Sequence, residues 1–240
     1  MSQPVALITG ASRGIGRATA IALSKLNYRL ALVARGRSDL EETARLAAAT
    51  DALILPADVT DPAQVRAMIH ETVTRFGRLD AVVNVAGVAP VRRIEEMSAD
   101  EWHAVINTNL SAVFYVIKYA WPHLRVCAKA GDDRHAAIVN VSSLASRDPF
   151  PGFAAYGAAK AGLNILDLVA AREGEADGIA VHTIAPGAVE TDMFRQLMTP
   201  EQYPKEKTLT PEEVADEIVQ CVTGRLRHTR GEVIYLHKTL

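Results

Sequence analysis

Seven short apolar runs recur along the chain: VALITG (5–10), RLALVAR (29–35), ALILPAD (52–58), DAVVNVAG (80–87), AAIVNVSS (136–143), IAVHTIAPG (179–187) and GEVIYL (231–236). Each is uncharged in its middle and rich in Val, Ile or Leu, as strands buried on both faces should be. Longer helix-patterned segments with recognisable starts lie between them. TDPAQVRAMIHETVTRF has Asp61 as its N-cap and Pro62 at the first helical position. SADEWHAVINTNLSAVFYVIKYAWPHLRVCAKA carries Ser98 and Glu101 at capping-box spacing, and Pro122 is expected to bend or divide it. TPEEVADEIVQCV repeats the cap, proline and acid pattern from Thr210. Strand alternating with helix throughout implies right-handed crossovers. The pattern therefore predicts an α/β, doubly wound fold: a seven-stranded parallel sheet with helices on both faces. No linker or composition shift divides residues 1–240, which are read as a single domain. The one long stretch without clear elements, about 188–209, is expected to be a lid or binding loop.

Composition narrows the class. The chain has 240 residues, 49% of them hydrophobic, enough for a sizeable core. Its formal charge is -2, with no long run of one sign, which argues against a nucleic-acid partner. Cys127 and Cys221 are isolated and lack metal-ligand spacing, so no metal site is expected and a reduced compartment suits them. The start MSQPVALITG lacks the charged region and cleavage site of a signal peptide. No apolar run reaches the roughly 18 residues of a membrane span. These features together read as a soluble, cytoplasmic protein.

The first strand runs into TGASRGIGRATAIAL, where Gly10, Gly14 and Gly16 bracket a turn that opens a helix. Such a turn lets a pyrophosphate approach the helix N-terminus, whose free N–H groups and dipole favour an anion. Three glycines alone also describe an ordinary strand-to-helix turn, but here they sit in the first crossover of a doubly wound pattern. In such folds a carboxylate at the end of the second strand holds a ribose 2′-OH. This chain has LVARGR there, with Arg35 and Arg37 in place of a carboxylate, and Arg13 in the glycine loop. Guanidiniums suit a 2′-phosphate by charge and fork geometry, which points to NADP(H).

AAYGAAKAG (154–162) sets Tyr156 and Lys160 four residues apart, on one helical face among small residues. A free tyrosine titrates near pH 10; a neighbouring ammonium is expected to lower that value and make the phenol a usable acid and base. Taken alone, Tyr-x-x-x-Lys is a common accident. Its weight comes from NVSS at the end of the fifth strand, which puts Ser143 at the sheet's carboxyl edge, where ligands bind in open α/β folds.

Taken in order, these segments resemble the short-chain dehydrogenase/reductases, in their branch of roughly 250-residue single-domain members with a Rossmann-type fold. TGASRGIG (9–16) is similar to the family's cofactor loop, with Ser12 and Ile15 beside its glycines. ADVT (57–60) is similar to the segment whose aspartate, here Asp58 followed by Val59, meets the adenine. NVAG (84–87) is similar to Asn-Asn-Ala-Gly, with Asn84, Ala86 and Gly87 retained and Val85 in place of the second asparagine. NTNLSAVF matches the helix that carries a catalytic asparagine, at Asn109. VNVSS, followed thirteen residues later by YGAAK, matches the catalytic serine, tyrosine and lysine at Ser143, Tyr156 and Lys160. PGAVETDM is similar to the segment bordering the nicotinamide, with Pro186, Gly187 and Val189, and with Thr191 near the carboxamide.

The resemblance implies that Tyr156 gives a proton to a carbonyl oxygen while the nicotinamide gives a hydride to its carbon. It implies that Ser143 polarises the carbonyl, that Lys160 holds the nicotinamide ribose, and that Asn109 positions a proton-relaying water. The implied activity is an NADP(H)-dependent carbonyl reductase acting on a small-molecule carbonyl/alcohol pair. Helices near 100–121 and 153–171 match the segments that pair family members, so a homodimer or homotetramer is expected. His182 stands where the family commonly has asparagine and reads as a structural residue, and the C-terminus lacks the usual glycine-rich ending.

Substrate choice should lie with residues 144–153, 88–98 and 192–209. Phe150, Phe153, Met193 and Phe194 offer an apolar wall for a hydrophobic or aromatic ketone, or else pack the loops together. Arg92 and Arg93 would meet an acidic carrier protein, as in 3-oxoacyl-[acyl-carrier-protein] reductases, or are plain surface. VNVSSLASRDPFPGFAAYGAAKA and GEVIYLHK resemble sepiapterin reductases. A reading of another class is a dinucleotide-sensing regulator without chemistry, against which the full set Asn109, Ser143, Tyr156 and Lys160 speaks.

Overall fold

Each of the seven apolar runs forms a strand in the computed structural model, which describes residues 3–129, 136–226 and 229–238. They are β1 (Val5–Thr9), β2 (Arg29–Ala34), β3 (Leu53–Pro56), β4 (Ala81–Asn84), β5 (Ala136–Val141), β6 (Ile179–Pro186) and β7 (Val233–Leu236). All pair in parallel, in the order β3-β2-β1-β4-β5-β6-β7. Among the described residues eight α-helices accompany them: α1 (Gly14–Lys25), α2 (Arg37–Leu46), α3 (Pro62–Phe76), α4 (Ala99–Ile106), α5 (Ala112–Ala128), α6 (Ala154–Asp177), α7 (Asp192–Arg195) and α8 (Pro211–Val222).

The two-residue period of a strand divides the apolar side chains between two cores, one on each face of the sheet. Leu7, Val33, Val82, Ile138 and Val181 face one layer with residues of α3, α5 and α6. Their strand neighbours Ile8, Leu32, Val83 and Val139, with Ile184, face the other with residues of α1, α2 and α8. Burial on both sides is why these runs show no polar alternation.

The caps expected from the sequence are present. The Asp61 carboxylate accepts from the Ala63 amide at 2.8 Å. Ser98 with Glu101, and Thr210 with Glu213, form reciprocal capping boxes at the starts of α4 and α8. The expected division at Pro122 is corrected: α5 runs through it without a break. A helical proline forfeits one hydrogen bond to the carbonyl four residues back. Here that residue is Lys118, on the exposed face, where water can satisfy the carbonyl. The division falls earlier, at a π-helical turn over Asn107–Ser111. Residues 188–209 also hold more structure than their sequence announces, with α7, a 3-10 turn at Lys205–Lys207 and a bridge between Val189 and Leu209. Among the described residues no helix is long and apolar enough to cross a membrane.

Successive strands β1, β2 and β3 step outward in one direction, and β4 returns to the other side of β1. At that reversal the loops leaving β1 and β4 diverge and open a crevice at the carboxyl edge.

Candidate active site

The crevice is a cleft of about 830 Å³ walled by the loops that follow β1 to β6. Gly10, Ser12, Arg13, Gly14 and Ile15 form one end of it. Gly10 has a φ of +66°, and a Cβ there would lie 2.7 Å from the Ala86 amide nitrogen, so the turn closes on the strand-β4 loop only with glycine. Gly16 and Asn84, both read as cofactor residues, are not part of the wall. Gly16 packs α1 onto the loop, since a Cβ there would meet the Gly10 carbonyl oxygen at 2.2 Å. Asn84 is buried and donates to Asn140.

The loop is braced from behind by residues the motif does not announce. The Thr43 hydroxyl donates to the Ala11 carbonyl at 2.9 Å, and the Arg17 side chain donates to Thr43 and to the Ser12 carbonyl. α1 starts with neither a side-chain cap nor an acidic residue in its first turn, which leaves its leading amides available to an anion.

Of the three arginines read as candidates for a 2′-phosphate, two line the cleft and one does not. Arg35 lines the cleft and is exposed. Arg13 lines it too and pairs with Asp192 at 3.8 Å. Arg37 sits on α2 paired with Glu41 one turn on, away from the wall. Asp58 and Val59 line the neighbouring section. Asp58 accepts from the Thr60 amide at 2.9 Å and hydroxyl at 2.7 Å, which holds its carboxyl below the usual range.

Ala86, Gly87, Asn109, Ser143, Tyr156 and Lys160 meet at the middle of the cleft. Ser143 is positioned by the 3-10 turn it caps: its Oγ accepts from the Ala145 amide at 3.1 Å. Its hydroxyl lies beside the Tyr156 phenol, as a hydrogen-bonding partner that favours the phenolate. Lys160 is 4% exposed, and its Nζ donates to the Val141 carbonyl at 2.8 Å while standing 5.8 Å from the Tyr156 ring centre.

This corrects the electrostatic expectation. Burial raises the Tyr156 phenol above its ordinary pKa, and the Ser143 hydrogen bond only opposes that rise. The lysine's ammonium is engaged with the end of β5 instead of the phenol oxygen. Burial also lowers the Lys160 pKa to about 8, with Asp167 acting in the opposite direction.

Asn109 sits fully buried on the π-helical turn, and its side chain is spent on backbone. Its amide donates to the Val88 and Val105 carbonyls at 2.8 and 2.9 Å, and its carbonyl accepts from the Val88 amide at 3.2 Å. It thereby ties the loop after β4 to the helix.

The far end of the cleft is apolar. Phe150, Phe153 and Tyr156 form a ladder of rings with centres 5.9 and 5.4 Å apart. Met193, Phe194, Leu197, Met198 and Tyr203 face them from the 192–209 segment. One residue staples that segment: Arg195 donates to the Glu190 carboxylate and to the Met198 and Tyr203 carbonyls. Pro186, Gly187, Val189 and Thr191 line its base, and Thr191 caps α7. At the mouth, Arg92 pairs with Glu101 and Arg93 with Glu95, each at 3.1 Å.

A family model described as short chain dehydrogenase matches residues 4–202. The chain is 34% identical to a 3-oxoacyl-[acyl-carrier-protein] reductase FabG of Staphylococcus aureus, over 97% of this chain and 96% of that one. It is 32% identical to the FabG of Escherichia coli K12, over 97% and 95%. Among solved structures, a putative short-chain alcohol dehydrogenase from Sinorhizobium meliloti 1021 superposes with a TM-score of 0.89 at 29% identity, covering 98% of this chain and 95% of that chain. Levodione reductase superposes with a TM-score of 0.88 at 26% identity, covering 99% and 97%. Fold, family model and relatives agree over nearly the whole length, and the chain belongs to the short-chain dehydrogenase family of oxidoreductases.

Proposed function

We propose that the protein interconverts an apolar ketone and its secondary alcohol with NADP(H). The observation that carries this reading is the placement of Ser143, Tyr156 and Lys160 together on the wall of one cleft, between a glycine loop and an apolar pocket, with Lys160 held on the phenol's helical face by the Val141 carbonyl. A dinucleotide fits the cleft's polar half. A Cβ on Gly87 would stand 2.7 Å from Asn109 Oδ1, so the loop after β4 closes on the π-helical turn only with glycine there. The uncapped start of α1 suits the pyrophosphate, Asp58 the adenosine end, and Arg35 with Arg13 a 2′-phosphate. When bound, the nicotinamide supplies the hydride.

The chain's own residues then supply a proton and an orientation. Burial keeps Tyr156 protonated at neutral pH, so the phenol is an acid ready to donate to a carbonyl oxygen. Ser143, beside the phenol in the cleft wall, offers a second hydrogen bond to the same oxygen. Lys160 holds the ribose and keeps a positive charge near the phenol as it releases its proton. The ring ladder and the 192–209 segment enclose the remainder of the substrate and exclude water. Exposed Phe114, Ile165 and Val169 on α5 and α6 support pairing with a second copy.

The FabG relatives favour a second reading, a 3-oxoacyl-[acyl-carrier-protein] reductase. The arginines at the mouth lend it little, since each is already paired with a glutamate of its own chain. Oxidation of NADPH and of NADH against diketones, acetoacetyl thioesters, aromatic ketones and a pterin separates the readings. A strong NADPH preference with an aromatic or diketone substrate supports the first, and turnover confined to thioesters supports the second. Tight cofactor binding without consumption would sink both in favour of a regulator.

A further inference from the structure

Three strands carry a polar residue in register one layer below the cleft. Asn84 of β4 is paired across the ladder with Asn140 of β5, and Asn140 with Thr183 of β6. A polar row inside a parallel sheet is costly unless every member is satisfied. The row is closed by one carboxylate from the helix above it. Asp167, fully buried, accepts from Asn140 Nδ2 at 2.7 Å and from the Thr183 hydroxyl at 2.6 Å, while Asn140 Oδ1 accepts from Asn84 at 2.7 Å. Asp167 lies seven residues beyond Lys160, two turns along the same face of α6. The next residue after Asn140 is Val141, whose carbonyl holds the lysine's Nζ.

We propose that Asp167 is a positioning residue for Lys160, its buried carboxylate serving as the counter-charge that keeps the lysine an ammonium beside Tyr156. The inference rests on the reading of Lys160 as the partner of the catalytic phenol. Among the described residues, Asp167 is the charge whose field acts on Lys160. The titratable groups facing Lys160 are Asp167 and Tyr156, both from α6; β5 presents only the Val141 carbonyl, the loop after β4 presents Gly87, and the π-helical turn presents Asn109. Asp167, two turns from Lys160 on the same helix, in turn takes its donors from Asn140 of β5, the residue before the Val141 that holds Lys160, and from Thr183 of β6. Burial raises the Asp167 carboxyl to about 7 while its two donors and the lysine oppose the rise, so the carboxylate forms in the range where Lys160 titrates.

The test is an NMR titration of the full chain carrying 13C at lysine Cε, with the Lys160 signal assigned by its loss in Lys160→Arg. Asp167→Asn keeps the shape and both hydrogen bonds, because the Thr183 hydroxyl can turn to accept from the new amide. Lys160 should titrate near pH 8 in the wild type. In Asp167→Asn the midpoint should fall by about one pH unit, as expected for the loss of a nearby opposite charge. The alkaline limb of kcat/KM should move to lower pH by the same amount. A folded Asp167→Asn protein with an unmoved Lys160 midpoint overturns the proposal. If that variant does not fold, Thr183→Val carries the test: it removes one donor to the carboxylate, and an unmoved midpoint there overturns the proposal equally. A shifted midpoint in a protein that reduces no ketone would reject the catalytic reading and leave the Asp167–Lys160 coupling standing.

Discussion

Gly16→Ala is a one-carbon change whose cost can be worked out from the backbone. The added Cβ would stand 2.2 Å from the Gly10 carbonyl oxygen, 2.8 Å from its carbon and 3.1 Å from Ala11 Cα. Relief to the 3.0 Å below which real Cβ contacts are essentially never seen needs at least 3.0 − 2.2 = 0.8 Å of movement. The loop cannot supply it. Gly10 is already seated against the Ala86 backbone, the Ala11 amide donates to the Val33 carbonyl at 3.1 Å, and the Ala11 carbonyl accepts from Thr43. The start of α1 must therefore retreat, carrying with it the amides proposed to hold the pyrophosphate. Overpacking of this kind costs about 1–3 kcal/mol, and a misplacement of nearly 1 Å at a binding group weakens function on the order of 100-fold. NADPH fluorescence titration of the purified variant should show that loss, and a thermal melt should show a fall of several degrees. A folded Gly16→Ala protein that binds NADPH within threefold of the wild type, at an unchanged melting temperature, would refute the reasoning.

Tyr156→Phe should lower ketone reduction at least about 100-fold, with NADPH affinity largely kept, because the phenol is assigned the proton and not the cofactor; loss of NADPH absorbance measures the first and fluorescence the second. Arg35→Ala should cut the preference for NADPH over NADH by roughly tenfold, about the worth of one charge-assisted contact, with kcat/KM for each cofactor as the readout. Arg195→Ala should raise KM for the ketone by about tenfold and weaken NADPH binding less, since two of its three partners, Met198 and Tyr203, lie on the substrate side and only Glu190 adjoins the cofactor segment. Asp167 has a folded pKa raised from 3.8 to about 7, so its contribution to stability is full below about pH 4 and is lost as pH rises to about 7. Asp167→Asn should then gain stability over the wild type, by at most about 4 kcal/mol at pH 8 less what Lys160 loses as a partner, and the gain should shrink as pH falls; melting temperatures compared from pH 5 to 8 would expose a pH-independent difference as a contradiction.

Much of this protein is written locally. A buried strand needs an apolar run, a helix start needs an acceptor for its free amides, and a tight approach needs glycine. The seven strands, the caps at Asp61, Ser98 and Thr210, and the turn at Gly10 could therefore be read from neighbours in the chain. Ser143, Tyr156 and Lys160 were legible for a related reason, since their spacing along a helix and at a strand end brings them to one edge, whereas Asn109 was legible only through the family resemblance. What could not be read depends on partners remote in sequence. The registers of β4, β5 and β6 align Asn84, Asn140 and Thr183, and only that alignment gives Asp167 its donors. Lys160 was expected to face the phenol, but the end of β5 presents a carbonyl that a buried ammonium cannot leave unused. The same holds for the arginines: the fold leaves Arg13 and Arg35 on the cleft and pairs Arg37 with Glu41 away from it. Sequence alone determined where chain can be buried and which groups are available for chemistry. The tertiary structure decided what each polar group is paired with, since a buried charge takes its pKa and its direction from whatever neighbours the packing delivers.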